Sequence, residues 1–153
     1  MSNLETVQFK LRLNTDWFRL TPHVKIFLDD NIIEDIEIFE KQSEGQSREI
    51  VFESALDDGD HELRIQYLDK ESPDTQVDEQ GNILADHLIH IIEIEIDDIE
   101  LGFLALTASC YYPDQSLHPE APAEMPQTVD MGYNGVWILK FQVPTYIWFL
   151  ENL

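Results

Sequence analysis

Apolar and polar residues alternate through most of this chain, and the longest alternating run frames the rest. From Asp86 to Leu106, DHLIHIIEIEIDDIELGFLAL, Leu88, Ile92, Ile94 and Ile96 take even positions while Glu93, Glu95 and Asp97 face the other way. A period of two is that of a strand with one buried face. Asp97-Asp98 then separates two β-rich runs by the two residues of a tight turn with positive φ. That turn sets Ile96 opposite Ile99, Ile94 opposite Leu101 and Ile92 opposite Phe103, so a long hairpin with one apolar face is expected. On its polar face Glu95 meets Glu100, a like-charge pair that water or a cation must screen.

The same pattern predicts the other strands. Val7, Phe9, Leu11 and Leu13 form one face of a first strand. Val24, Ile26 and Leu28 share a face before Asp29-Asp30-Asn31 turns the chain into IIEDIEIFE, a second hairpin. A polar loop around Gly45 leads into REIVFESAL, with Ile50, Phe52 and Leu56 on one side, and Asp57-Asp58-Gly59-Asp60 turns into HELRIQYL. Asn134-Gly135 introduces VWILKFQV, in which Trp137, Leu139, Phe141 and Val143 share a face. Two long loops interrupt the series. One runs from Asp69 to Asp86 and is rich in carboxylates; the other, from Tyr112 to Asn134, holds Pro113, Pro119, Pro122 and Pro126. Short strands between turn signals predict one all-β domain over residues 1–153, an antiparallel β-sandwich of jelly-roll-like topology. The tail PTYIWFLENL suits a short C-terminal helix, with Tyr146, Phe149, Leu150 and Leu153 at helical spacing and Ile147 and Trp148 facing the other way.

Charge narrows the classes of partner. Asp and Glu outnumber Lys and Arg 31 to 9, a formal charge of -22, which repels nucleic acid and anionic membranes. Between Lys70 and Lys140 there is no Lys or Arg against fourteen carboxylates, so that half of the chain carries a strongly negative potential that suits cations. Cys110 is the single cysteine, which excludes an intrachain disulfide and suits assembly in a reducing cytosol. The beginning, MSNLETVQFKLRLN, lacks the apolar core of a signal peptide, and no run reaches the ~20 apolar residues of a membrane helix. A soluble protein with neither nucleic-acid binding nor membrane insertion is expected.

Candidate chemistry centres on the acidic loop. Hard cations take several oxygen ligands, so Asp69, Asp74, Asp78 and Asp86 are candidate calcium ligands; the other reading is a solvated polar loop. His87 and His90 fall on opposite faces of a strand and do not converge on one ion. Glu93 and Glu95 share a face, yet an exposed acidic stripe explains them without glycosidase chemistry. Ser109 and Cys110 lack a base or elbow motif, and there is no glycine-rich phosphate loop, so no catalytic residues are assigned and the protein is read as a non-enzyme. Tyr111 and Tyr112 are either an aromatic platform for a sugar ring or core anchors at a strand end. Tyr146, Ile147, Trp148, Phe149 and Leu150 put five large apolar residues in succession: either an interface to a partner, or a plug that closes one end of the sandwich.

The segments LDDGDHELRIQYLDK, VDEQGNILADHLIHIIEIEIDDIEL, YYPD, NGVWILKF and YIWFLENL together resemble small acidic proteins of tailed bacteriophages, marine ones in particular, over about two-thirds of the chain. The stretch from Gly59 to Leu101 is more loosely similar to calcium-dependent xylan-binding carbohydrate-binding modules. The first resemblance implies a virion structural protein, a capsid decoration or a tail or fibre component, made in the host cytoplasm and docked onto other virion proteins or onto itself. The second implies a jelly-roll adhesin module that contacts host-surface glycans with the help of calcium, with Asp69 and Asp86 matching the aspartates that hold the ion.

Overall fold

The computed structural model describes residues 4–152. In chain order its elements are β1 (Leu4–Asp16), β2 (His23–Leu28), β3 (Asn31–Glu37), β4 (Arg48–Asp57), β5 (Gly59–Leu68), β6 (Gln76–Val77), β7 (Ile83–Ala85), β8 (Leu88–Ile96), β9 (Ile99–Glu100), α1 (Phe103–Thr107), β10 (Ser109–Pro113), β11 (Met125–Pro126), β12 (Asp130–Met131), β13 (Gly135–Val143) and α2 (Thr145–Asn152). Two antiparallel sheets form the sandwich. One has the order β12-β8-β1-β4, with β9 also on β8; the other has the order β11-β10-β13-β5-β2-β3. β6 and β7 make a separate two-stranded ribbon within the acidic loop. The β-sandwich and the short C-terminal helix expected from the sequence are both present; Leu153, assigned to the helix face, lies outside the described residues.

Alternation explains the core. Val7, Phe9, Leu11 and Leu13 of β1 face Val24, Ile26 and Leu28 of β2, Leu63, Ile65 and Tyr67 of β5, and Trp137, Leu139 and Phe141 of β13, all within one buried cluster. Phe9 ties the layers together, stacked on Phe52 at 4.8 Å within its own sheet and edge-on to Phe141 at 5.7 Å across the interface. Phe9 and Phe141, both fully buried, each contribute about 2–3 kcal/mol by leaving water. Ion pairs join β1 to the strands on either side of it. Its outward cations Lys10 and Arg12 stand beside Glu95 and Glu93 of β8, at 3.7 and 3.1 Å, and Arg12 also reaches Glu49 of β4 at 3.7 Å. The acidic face of β8 is thereby screened by the neighbouring strand.

The long hairpin is real for only two rungs. Ile96 pairs with Ile99 and Glu95 with Glu100, Asp97 and Asp98 both have positive φ, and the Leu101 N–H reaches the Ile94 carbonyl at 2.9 Å. Beyond that point Gly102 takes φ 53°, a left-handed conformation that favours glycine, and FLALT winds into α1 instead of continuing as a strand. Ile92 therefore does not meet Phe103, and both are exposed. A second departure lies in β8 itself. Leu13 pairs with Ile91 while Arg12 pairs with Glu93, which leaves Ile92 as the extra residue of a bulge. The bulge switches faces, so that Ile89 and Ile91 are buried before it and Ile94 and Ile96 after it.

The tail divides between the two roles open to it. Trp148 and Phe149 are buried against each other at 5.3 Å, with Trp148 edge-on to Phe141 at 6.3 Å, so they belong to the chain's own core and offer nothing to a partner. Tyr146, Ile147 and Leu150 remain exposed. The buried side of α2 thus runs through Thr145, Trp148 and Phe149, rotated from the face that the spacing of Tyr146, Phe149 and Leu150 predicts.

Candidate functional site

β5 and β13 run antiparallel, and both long connections leave from the same end of this pair, where Tyr67 is opposite Gly135. Between the connections lies a cleft of about 670 Å³, lined by Lys70, Thr75, Asp86, His118 and Tyr133 with Val77, Ile83 and Leu117 near its mouth. A second groove, of about 820 Å³, lies at the opposite end beside α2, among His61, Glu62, Lys140, Gln142 and Glu151. The interloop cleft is the better-built site, because its polar groups are buried and locked by one another.

Its floor is assembled from three segments. Lys70 has a side chain only 4% exposed and donates to Asp86 Oδ1 at 2.6 Å and to the Gly132 carbonyl at 2.5 Å. Asp86 Oδ1 also accepts from the Thr75 hydroxyl at 2.6 Å and from the His87 N–H at 2.8 Å. Asn134, buried, mimics a strand against Lys70: its amide oxygen accepts the Lys70 N–H at 2.7 Å and its amide nitrogen donates to the Lys70 carbonyl at 2.8 Å. The Asn134 N–H donates to His118 Nε2 at 3.0 Å, which puts the imidazole proton on Nδ1, and the His118 ring meets Tyr133 edge-on at 5.2 Å. The chain can pass this closely only because residue 135 is glycine, since a Cβ there would lie 2.4 Å from the Tyr112 carbonyl oxygen.

The four aspartates proposed as metal ligands are each engaged separately. Asp74, buried, receives the Arg19 guanidinium at 2.6 Å and the Glu71 N–H at 2.8 Å; its carboxyl is held below the usual range, with burial opposed by those donors. Asp86 serves Lys70. Asp78 closes the β6–β7 turn, accepting from the Gln80 and Asn82 N–H groups at 2.9 and 2.8 Å, which hold its carboxyl low. Asp69 faces His23 Nδ1 at 2.7 Å. Among the described residues no three His, Cys, Asp or Glu side chains are grouped to hold a metal ion, and these four aspartates are spread over separate partners. His87 and His90 also have separate partners: His87 Nε2 accepts the Phe18 and Arg19 N–H groups at 3.0 and 3.2 Å, and burial lowers its proton affinity.

The paired tyrosines do not form one platform. Tyr111 is fully buried, its hydroxyl donates to the Tyr133 carbonyl and accepts the Tyr133 N–H at 3.0 Å, and burial pushes its ionisation up. Its ring is a core anchor, closed to any sugar. Tyr112 points to the other side of the sheet, half-buried, where the nearby Cys110 thiol and burial raise its ionisation. The aromatic ring that does line the cleft is Tyr133. Neither it nor Asn134 and His118 stood out in the sequence, where an Asn-Gly pair and scattered prolines marked only a loop.

No protein-family model matches the chain, and no curated protein matches it. Among solved structures it is similar to the carbohydrate-binding module vCBM60 in complex with galactobiose, at 9% identity over 88% of this chain and 97% of that one, with a TM-score of 0.48.

Proposed function

We propose that this protein is a non-catalytic recognition module whose interloop cleft binds an uncharged oligosaccharide. The observation that carries the reading is the cleft floor, where Lys70, Asp86, Thr75 and His118 hold fixed orientations beside the Tyr133 ring. Directed donors and acceptors next to an aromatic edge and aliphatic side chains match the alternation of hydroxyls and C–H patches on a sugar. The ligand is uncharged for an electrostatic reason. Lys70 is already neutralised by Asp86, and the formal charge of -22 opposes anionic glycans. Calorimetric or NMR titration with galactobiose and xylo-oligosaccharides tests this: binding that is lost in Tyr133→Ala supports it. Silence at millimolar sugar, or affinity indifferent to Tyr133→Ala, overturns it.

A second reading concerns where the module is carried. Tyr146, Ile147 and Leu150 leave an apolar strip on α2, which supports docking onto a larger assembly: a virion assembled in the host cytoplasm, as the phage resemblance implies, or a second copy of the chain. The two readings are compatible, since strip and cleft lie at opposite ends of β5 and β13. Light scattering of the wild type against Ile147→Ser/Leu150→Ser tests self-association, and incorporation of the same variants into particles tests docking.

A further inference from the structure

Two histidines outside the cleft stand in an arrangement that the sugar reading does not use. His90 lies between Asp16 and Asp130, with Nε2 2.8 Å from Asp16 Oδ2 and Nδ1 2.7 Å from Asp130 Oδ1. His23 lies between Asp35 and Asp69, with Nδ1 2.7 Å from Asp69 Oδ2 and Nε2 in contact with Asp35 Oδ1. An ionised carboxylate only accepts hydrogen bonds, whereas a neutral imidazole has one N–H and one lone pair. Either ring can satisfy both of its carboxylates only as imidazolium. In each triad one carboxylate belongs to the framework, Asp16 of β1 or Asp35 of β3. The other begins a cleft wall: Asp130 opens β12, which runs directly into Gly132 and Tyr133, and Asp69 immediately precedes Lys70.

We propose that the imidazolium clamps Asp16–His90–Asp130 and Asp35–His23–Asp69 fasten the two walls of the interloop cleft to the sandwich, so that the cleft is assembled below neutral pH and loosens as the pH rises. The charged groups facing His90 are Asp16 from β1 and Asp130 from β12; those facing His23 are Asp35 from β3 and Asp69 after β5, with Lys25 also acting on Asp35. For His90, burial disfavours the charged ring, but the two carboxylates outweigh it and the net proton affinity is raised. For His23, the Asp35 hydrogen bond leads, and the affinity is raised as well. Deprotonation turns one ring nitrogen into a lone pair aimed at a carboxylate and releases that contact. His118 is the internal contrast, because its Nε2 accepts an N–H and it takes no part in a clamp.

The test is a pH titration of uniformly ¹⁵N-labelled protein from about pH 5.5 to 9, around the value of about 6.5 for free histidine. The ring nitrogens of His23 and His90 are expected to show the doubly protonated pattern at about pH 6.5, with midpoints above it. The Gly132 and Tyr133 amides should move with the His90 midpoint, and the Lys70 amide with that of His23. Asp130→Asn should lower the His90 midpoint and abolish the response of Gly132 and Tyr133. Asp69→Asn, at an exposed carboxylate, should do the same for His23 and Lys70. Single protonation of both rings at about pH 6.5, or wall amides that stay fixed while the rings titrate, overturns the proposal. These readouts are independent of what the cleft binds, so absence of sugar binding leaves the clamps standing. If both readings hold, sugar affinity falls over the same pH interval.

Discussion

Replacing Lys70 by methionine removes the cation at the bottom of the cleft while keeping much of its aliphatic stem. Lys70 and Asp86 have side chains only 4% and 16% exposed, so the Lys70→Met change would leave a carboxylate without its counter-charge in a partly dry site. Breaking a buried pair in this way costs about 3–5 kcal/mol. Asp86 keeps the Thr75 hydroxyl and the His87 N–H, which puts the expectation near the lower end, about 3 kcal/mol. At roughly 2–4 °C per kcal/mol for a chain of this length, the melting temperature should fall by about 6–12 °C. Urea unfolding followed by circular dichroism measures the loss, and Lys70→Met/Asp86→Asn closes the cycle. The double variant should be more stable than Lys70→Met alone, because the stranded charge is gone. A Lys70→Met protein within about 0.5 kcal/mol of wild type, or strictly additive single changes, would refute the buried pair and with it the rigid floor of the cleft.

The bulge makes a paired prediction: Ile94→Asp should unfold the domain, since an unpaired buried carboxylate costs several kcal/mol against a margin of ~5–15, whereas Ile92→Asp should be tolerated, as thermal melts will show. In the tail, Trp148→Ala should cost about 3–5 kcal/mol and Leu150→Ser less than about 0.5, measured by urea unfolding. Adding calcium or a chelator should leave the melting temperature unchanged, because the aspartates of the acidic loop already have partners within the chain; a clear upward shift with calcium would contradict this. The proton affinities of His23, His61 and His90 are raised, so their contribution to stability is complete below about pH 6.5 and is lost as the pH rises through the folded values. His87 is lowered and acts in the opposite sense, losing its contribution as the pH falls below about 6.5, so urea midpoints plotted against pH should peak in that region.

Alternation exposed most of the framework, because strands with one dry face must write that face into every second residue. Val7 to Leu13, Val24 to Leu28 and Trp137 to Val143 were legible for this reason. Where the period breaks, the pattern no longer tells which face is buried. Ile92 looks like any core isoleucine, and only its pairing with β1 shows it to be the extra residue. FLAL is apolar enough for a strand, yet Gly102 ahead of it and the helix-favouring Leu and Ala were a signal that the ladder ends there. The site was less legible still. Asp86 and the acidic loop are marked by their charge, but Arg19, His23 and Asn134, which engage that loop, come from distant positions, and Lys70 meets Asp86 only because the loop folds back on itself. Tyr111 and Tyr112 are neighbours in sequence and opposites in space, as adjacent residues of a strand must be.

β1 pairs on one side with β4 and on the other with β8, so its contacts reach from Phe9 to Phe52 and from Phe9 to Ile96. Both partners lie far downstream, with a long stretch of the second sheet's strands between them. A strand wedged between late-arriving neighbours gives the fold a high contact order, and the loops that must close before β1 is satisfied make folding slow. During that interval the edge of β1 that β8 will occupy has no hydrogen-bond partner, while Lys10 and Arg12 are among the few cations in an otherwise negative chain. Self-repulsion of the nascent acidic chain then has a kinetic use, holding separate copies apart until β8 has been made and can close the sheet.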